Sequence, residues 1–202
     1  LSNNSSGKQG YALAEEFLKL GAHVTLISGP TNINKPNVNK LIEVLSADEM
    51  LTEVENNIDC DIFISSAAVC DWKLIPYTFR NKKLSNKDKL KKNKNIFFKL
   101  ETNPDIIKFV SKNKKRPTLV IGFAAETKNL IQNARKKLKD KQLDMIIANL
   151  IEKEKSVFGE EYNKIFIIDK YSNMQESEKL TKKEIASLII SKSLKLHDEI
   201  NA

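Results

Sequence analysis

Three groups of residues in this sequence have the types and spacing to do chemistry. The first is the opening stretch L-S-N-N-S-S-G-K-Q-G (1–10), small, polar and punctuated by glycine. An apolar-periodic run follows it at once: Tyr11, Leu13, Ala14, Phe17 and Leu18. A loop of this kind opening a helix can turn several backbone N–H groups and the positive end of a helix dipole toward one anion. Phosphate is the natural guest, and Ser5, Ser6 and Gly7 are its candidate loop. The second group is three apolar runs that end in small or polar residues: Ser65-Ser66-Ala67-Ala68, Gly122-Phe123-Ala124-Ala125 and Ala148-Asn149. Small residues at a strand's carboxyl end leave room for a ligand over the sheet edge. The third group is charged. Asp71 follows the first of those runs, and Lys137 and Lys141 lie four apart, which places them on one helix face. Between Arg80 and Asn95 stand eight basic residues and one acid, with almost no apolar side chain.

Each group has a plainer reading. Gly7-Lys8 departs from a P-loop, because Gln9 stands where a magnesium-holding Ser or Thr belongs and the leading glycine is absent. Gly7 and Gly10 match only the tail of a dinucleotide fingerprint, and an ordinary Ser or Asn helix cap fits the loop's composition equally well. Any single strand end is more often simple packing; the three together, beside the loop, favour a nucleotide site. The Lys-rich stretch alone reads as a solvated charge run. No aromatic residue interleaves it, so base stacking on a single strand is poorly supported. Asp71 serves either as a metal carboxylate or as a cap, and the spacing leaves both open.

The elements that must position these residues alternate between strand and helix. The opening helix ends at Gly21, and His23 to Ser28 reads as a buried strand. Thr31 to Asn39 is a Pro/Asn-rich loop, Leu41 to Leu45 a short strand, and Ser46 caps a helix through about Asn57. Asp61 to Ala67 is a buried strand. The run from Arg80 to Asn95 has no periodicity and predicts a long mobile flap, and Ile96 to Leu100 resumes as a strand. In T-N-P-D, Asn103 is the expected cap, with Pro104 first in the helix and Asp105 complementing the dipole. Thr118 to Phe123 is a strand, and Glu126 or Thr127 begins a helix to about Gln142. Asp144 to Asn149 is the third buried strand, Phe158 to Asn163 a turn region, Lys164 to Asp169 an edge strand and Thr181 to His197 a terminal helix. The alternation predicts a Rossmann-like, three-layer α/β sandwich with a mostly parallel sheet, one domain over 1–202. Leu1 reads as the end of a strand already under way, so the unit's first strand is expected upstream.

Composition narrows the classes. A chain of 202 residues with 41% hydrophobic and 30% charged content suits one ordinary globular core. No apolar run approaches the roughly 20 residues of a membrane span, and no signal peptide opens the sequence. Cys60 and Cys70 make no disulfide framework and suggest a reducing, cytoplasmic setting. His23 and His197 sit far from each other and from any cysteine cluster, which argues against a His/Cys metal site. The net charge of +8 favours anionic ligands.

The motifs together resemble the phosphopantothenoylcysteine synthetase domain of the bacterial coenzyme A pathway, usually fused behind a flavin-dependent decarboxylase. The matching stretches run in order: S-N-N-S-S-G-K-Q-G at Ser2, A-A-V-C-D-W at Ala67, K-L-K-K at Lys89, N-P-D-I-I at Asn103, G-F-A-A-E-T at Gly122 and D-M-I-I-A-N at Asp144. Where the family usually has Asn-Asp after the third strand, this chain has Asn149-Leu150. The resemblance implies a two-step ligation. The carboxylate of 4′-phosphopantothenate attacks the α-phosphate of CTP to give an acyl-cytidylate and pyrophosphate, and the amine of L-cysteine then displaces CMP. It also implies roles. Asn3 looks like the residue that positions the acyl-cytidylate, and Lys89 like a catalytic lysine. Ser65, Ser66, Ala67, Asp71, Lys89, Pro104, Asp105, Ile106, Ile107, Phe123, Lys137 and Lys141 look like the CTP site. Mg²⁺ is expected with the triphosphate, Asp71 being its candidate carboxylate, and FMN only in a fused decarboxylase half. A homodimer is implied, with the sheet edge near Ile96 to Leu100 pairing across a twofold axis; no membrane and no specific nucleic acid is expected as partner. The sheet pattern is shared with NAD(P)-binding reductases, but a complete G-x-G-x-x-G and an acidic residue closing Leu41 to Leu45 are both missing from the expected pattern. A flap-mediated nucleic-acid binder is the remaining alternative.

Overall fold

Apolar runs and amphipathic segments settle into layers in the computed structural model, which describes residues 5–78, 96–150 and 162–202. In chain order come α1 (Lys8–Lys19), β1 (Thr25–Ser28), β2 (Lys40–Glu43), α2 (Ala47–Asn56) and β3 (Ile62–Ser65). β4 (Trp72–Thr78), β5 (Ile96–Thr102), α3 (Ile106–Ser111), β6 (Leu119–Glu126), α4 (Leu130–Asp140) and β7 (Met145–Leu150) follow. The chain ends with β8 (Tyr162–Asn163), β9 (Phe166–Asp169), β10 (Met174–Glu176), β11 (Leu180–Thr181) and α5 (Lys182–Asn201). Asn3, Lys89, the expected flap from Arg80 and most of the Phe158 to Asn163 turn lie outside the described residues.

The central sheet has the order β10-β9-β7-β6-β3. Its β3, β6 and β7 are parallel, and β9 and β10 add antiparallel strands on one side. The expected α/β sandwich is therefore present, with parallel pairing in the β7-β6-β3 half of this sheet and in β1–β2. Period-two alternation divides the sheet's side chains between two cores. Val120, Ala124, Ile146 and Ile168 face α2, α3 and α4 through Val54, Val110, Ala134 and Leu138. Leu119, Ile121, Met145 and Ile147 face α1 and α5 through Leu13, Ile185, Ile189 and Ile190. Most of these are fully buried, and each contributes on the order of 2 kcal/mol by leaving water. Three layers result.

Local chemistry sets the helix ends. Ser46 accepts the Glu49 N–H, as expected of a cap, and Thr181 with Glu184 completes a capping box that opens α5. The start of α3 differs from expectation. Asp105 is the cap, accepting the Lys108 N–H, while the Asn103 amide nitrogen donates to the Cys70 carbonyl and ties this turn to the segment before β4. Helix α4 starts at Leu130 rather than Glu126 or Thr127, since β6 stays in its ladder until Glu126 pairs with Leu150. Strand β9 is not an edge: Asp169 accepts the Tyr171 and Asn173 N–H groups, closing a turn that lays β10 alongside. Glu43 does close β2, contrary to expectation, but pairs with Lys35 at an exposed site. Strand β4 was not expected at all. It pairs with β5 as a separate antiparallel ribbon.

Candidate active site

Among the described residues β1 pairs only with β2, and β3 only with β6. A cleft of about 1780 Å³ opens there, lined by both strands and by the carboxyl ends of β3, β6 and β7.

One rim of the cleft is backbone. Gly7 precedes α1 with φ of 74°, and no side chain caps the helix. A Cβ on Gly7 would stand 2.7 Å from Thr31 Cγ2, so the loop needs glycine for both its angle and its space. The expected Ser or Asn cap is thus replaced by a residue with no side chain. The hydroxyls of Ser5 and Ser6 accept from the Gly7 and Lys8 N–H groups at 3.5 and 3.4 Å, long bonds that a stronger acceptor can displace. Gly10 comes so close to the end of β3 that a Cβ there would lie 2.8 Å from Ser66 Oγ. Gln9 donates to the Lys182 carbonyl at 3.1 Å and so ties α1 to α5. The Tyr11 hydroxyl bonds Ser28 Oγ at 3.0 Å and Thr31 Oγ1 at 2.9 Å, fixing α1 against the end of β1.

The opposite rim is made of side chains. Lys137 Nζ donates to Glu126 Oε1 at 2.7 Å, and Asn133 Nδ2 donates to Glu126 Oε2 at 2.9 Å. Burial works to raise the Glu126 carboxyl's pKa, but the Lys137 ammonium and the Asn133 amide outweigh it and hold the group below its ordinary value. Lys141, just past the end of α4, pairs with Asp105 at 3.0 Å. Asp71 is exposed at the entrance to β4, and its carbonyl accepts the Asn103 N–H at 2.8 Å. Among the described residues no three His, Cys, Asp or Glu side chains gather as a metal cluster.

The expected site residues that are described all line this one cleft. Ser5, Ser6 and Gly7 form its loop; Ser65, Ser66 and Ala67 continue β3; Asp71 stands at the ribbon; Pro104, Asp105, Ile106 and Ile107 open α3. Phe123, Lys137 and Lys141 complete it. The sheet separates two of these sets. The Phe123 side chain joins the core shared with α1 and α5, whereas α3 and α4 pack on the other face. Sequence reasoning missed Glu126, Tyr11, Thr31 and the cleft pair Lys73–Asp48, whose ammonium meets both carboxylate oxygens, at 2.5 and 2.8 Å. Two signals were present: Glu126 lies in the G-F-A-A-E-T stretch, and Ser28-Gly29-Pro30 beside Tyr11 and Thr31 is a strand end of the same small-residue kind as the others.

A glycine-opened helix and small-ended parallel strands meet at one edge of an α/β sheet, as they do in Rossmann-like proteins. The chain belongs to the family of the DNA/pantothenate metabolism flavoprotein C-terminal domain, which it matches over residues 1–196. It is 45% identical over 195 residues to the coenzyme A biosynthesis bifunctional protein CoaBC of Borreliella burgdorferi, covering 94% of this chain and 46% of that protein. It is also similar to the crystal structure of the C-terminal domain of a bifunctional CoaBC, with a TM-score of 0.74, 35% identity and coverage of 96% and 85%. The fold recurs at 14% identity and a TM-score of 0.66 in a Cab2 mutant complexed with phosphopantothenate-cysteine, with coverage of 99% and 82%. The chain spans about half the length of the curated relatives it matches.

Proposed function

We propose that this chain is the domain that ligates 4′-phosphopantothenate to L-cysteine at the expense of CTP, a step of coenzyme A biosynthesis in the cytoplasm. One observation carries the reading: the open α1 N-terminus, three small-residue strand ends, Lys137 on α4 and Lys141 just past its end all line a single cleft. In the first step the pantothenate carboxylate attacks the α-phosphorus of CTP, the P–O bond to pyrophosphate breaks, and an acyl-cytidylate forms. A carboxylate meeting a triphosphate gathers some five negative charges, so fixed donors must meet the charge that builds on the leaving pyrophosphate. The α1 N-terminus supplies backbone N–H groups, Lys137 and Lys141 supply ammonium groups, and Lys89 is assigned the transition-state charge. In the second step the cysteine amine attacks the acyl carbon and CMP leaves; Asn3 is assigned to hold the acyl-cytidylate for that attack.

Mg²⁺ bound with the triphosphate would screen its charge, and Asp71 is the carboxylate that would help hold it. A single exposed carboxylate, Asp71, suits an ion that keeps most of its shell in water and phosphate oxygen. Flavin chemistry is assigned to a decarboxylase half outside these residues. The ribbon supports a homodimer. Pairing of Leu74 with Leu100 and Pro76 with Phe98 puts Trp72, Leu74, Phe98 and Leu100 on one ribbon face, each 47–58% exposed, and a two-stranded ribbon is marginal without a partner. β4 occupies one edge of β5, so the ribbon offers a partner both this exposed face and the other edge of β5.

Calorimetric titration tests the ligand. CTP should bind in the presence of Mg²⁺, with ATP and UTP weaker by roughly tenfold or more, since fixed hydrogen-bond partners beside Phe123 reject a mispaired base. Binding of NADPH without CTP would replace ligation by a reductase reading. Sedimentation should show a dimer that Leu100→Glu splits, and a wild-type monomer at micromolar concentration would remove the dimer.

A further inference from the structure

We infer that Glu126 is a positioning residue, a buttress that holds the Lys137 ammonium at the cleft rim for the phosphates of the ligand. The inference rests on the nucleotide reading above. Lysine carries a compact charge on a flexible four-carbon stem, so a lysine that must meet a phosphate at one place needs something to hold it there. Glu126 has the means. It is the last residue of β6, its backbone is fixed by pairing with Leu150, and only 17% of its side chain is exposed. One carboxylate oxygen takes Lys137 at 2.7 Å and the other takes Asn133 at 2.9 Å. Asn133 lies one turn before Lys137 on α4, and also donates to the Lys128 carbonyl at 3.2 Å. The carboxylate therefore braces the helix against the end of the sheet. Lys137 lines the cleft, and Glu126 meets its ammonium from the end of β6. An ammonium has three donors; with one committed to Glu126, two remain to face a phosphate.

The second lysine shows the contrast. Lys141 lies beyond the end of α4, and both oxygens of its partner Asp105 take its ammonium, at 3.1 and 3.0 Å. Asp105 is 42% exposed and also accepts the Lys108 N–H, whereas Glu126 is 17% exposed. The two lysines therefore differ in the burial of the carboxylate behind each, although the Lys137 side chain is itself the more exposed, 43% against 32%.

A carboxylate beside a phosphate-binding lysine could instead act as a rival anion, and substitution separates the two roles. CTP affinity is measured by calorimetry for wild type, Glu126→Ala, Glu126→Gln, Lys137→Ala and the double alanine variant. A buttress predicts about tenfold weaker binding for Glu126→Ala, substantial rescue by Glu126→Gln, whose amide oxygen still accepts from Lys137, and no further loss in the Lys137→Ala background. Tighter binding in either Glu126 variant, or losses that simply add in the double variant, overturns the inference. A wild-type protein that binds no CTP overturns the functional reading instead. NMR relaxation of the Lys137 ε-methylene in the unliganded protein then decides the buttress alone: restricted in wild type and freed in Glu126→Ala supports it, equal mobility in both overturns it.

Discussion

The two rims of the cleft reach the same end by opposite means. The α1 rim offers backbone N–H groups and glycine, with no charged side chain from Lys8 to Tyr11 among the cleft-lining residues. The α4 rim offers ammonium groups, each balanced by a carboxylate of its own. Backbone donors come with the helix and cannot titrate away, so the first rim is harmed by adding atoms. Side-chain donors are long, flexible and screened, so the second is harmed by removing them or what steadies them. One rim supplies geometry and the other supplies charge.

The comparison breaks most visibly if bulk charge does the work that fixed charge is assigned. Lys89→Gln should lower acyl-cytidylate formation by about 10²-fold, or roughly 3 kcal/mol of transition-state stabilisation, with folding stability changed by less than about 0.5 kcal/mol. Pyrophosphate release reads the first quantity and chemical denaturation the second. Equal activity in Lys89→Gln and Lys94→Gln would mean that the Lys-rich stretch acts as an undirected charge reservoir.

The backbone rim is sharpened by Gly7→Ala. The added methyl meets Thr31 at 2.7 Å on a backbone with φ of 74°, so a stability loss of about 1–2 kcal/mol is expected. CTP binding should weaken about tenfold in the protein that remains folded. An unchanged affinity would show that the loop does not carry phosphate.

Asp105 gives a smaller effect and separates its two tasks. Asp105→Ala should cost about 1 kcal/mol through the lost cap, whereas Asp105→Asn should cost almost nothing, since asparagine caps as well. Denaturation curves of the two variants check this, and equal losses would assign the stabilisation to the Lys141 pair. The smallest effect follows pH. The Glu126 carboxyl titrates below its unfolded value, so its stabilisation is complete above the ordinary carboxylate pKa of about 4.3 and fades as pH falls through the lower folded value. Glu126→Gln should therefore be less stable than wild type at pH 7, by less than about 1 kcal/mol, and the gap should close on acidification. A gap that widens toward low pH would reverse the sign.

What was legible in the sequence depended on how local its cause is. The strands β3, β6 and β7 announced themselves as apolar runs with small ends, and Ser46 announced α2, because each signal lies within a few residues. The start of α3 misled: Asp105 is the cap, while the Asn103 amide nitrogen makes a tertiary contact with the Cys70 carbonyl, 33 residues away. The ribbon strand Trp72–Thr78 was hidden because Pro76 argues against a strand and its partner β5 lies beyond a long polar stretch. The site loop, the strand ends and the lysines were legible as residue types. Their pairing was not, since Glu126 and Lys137 meet only when β6 runs its full length and α4 folds back beside it.

The account's central claim is that this cleft activates a carboxylate with CTP. A single-turnover assay tests it most directly, with 4′-phosphopantothenate, CTP and Mg²⁺ supplied and L-cysteine withheld, in the full-length protein. The account predicts one equivalent of pyrophosphate per site, dependent on 4′-phosphopantothenate, and a covalent acyl-cytidylate that cysteine then discharges as CMP. Release of no pyrophosphate with CTP, or release independent of 4′-phosphopantothenate, would contradict it.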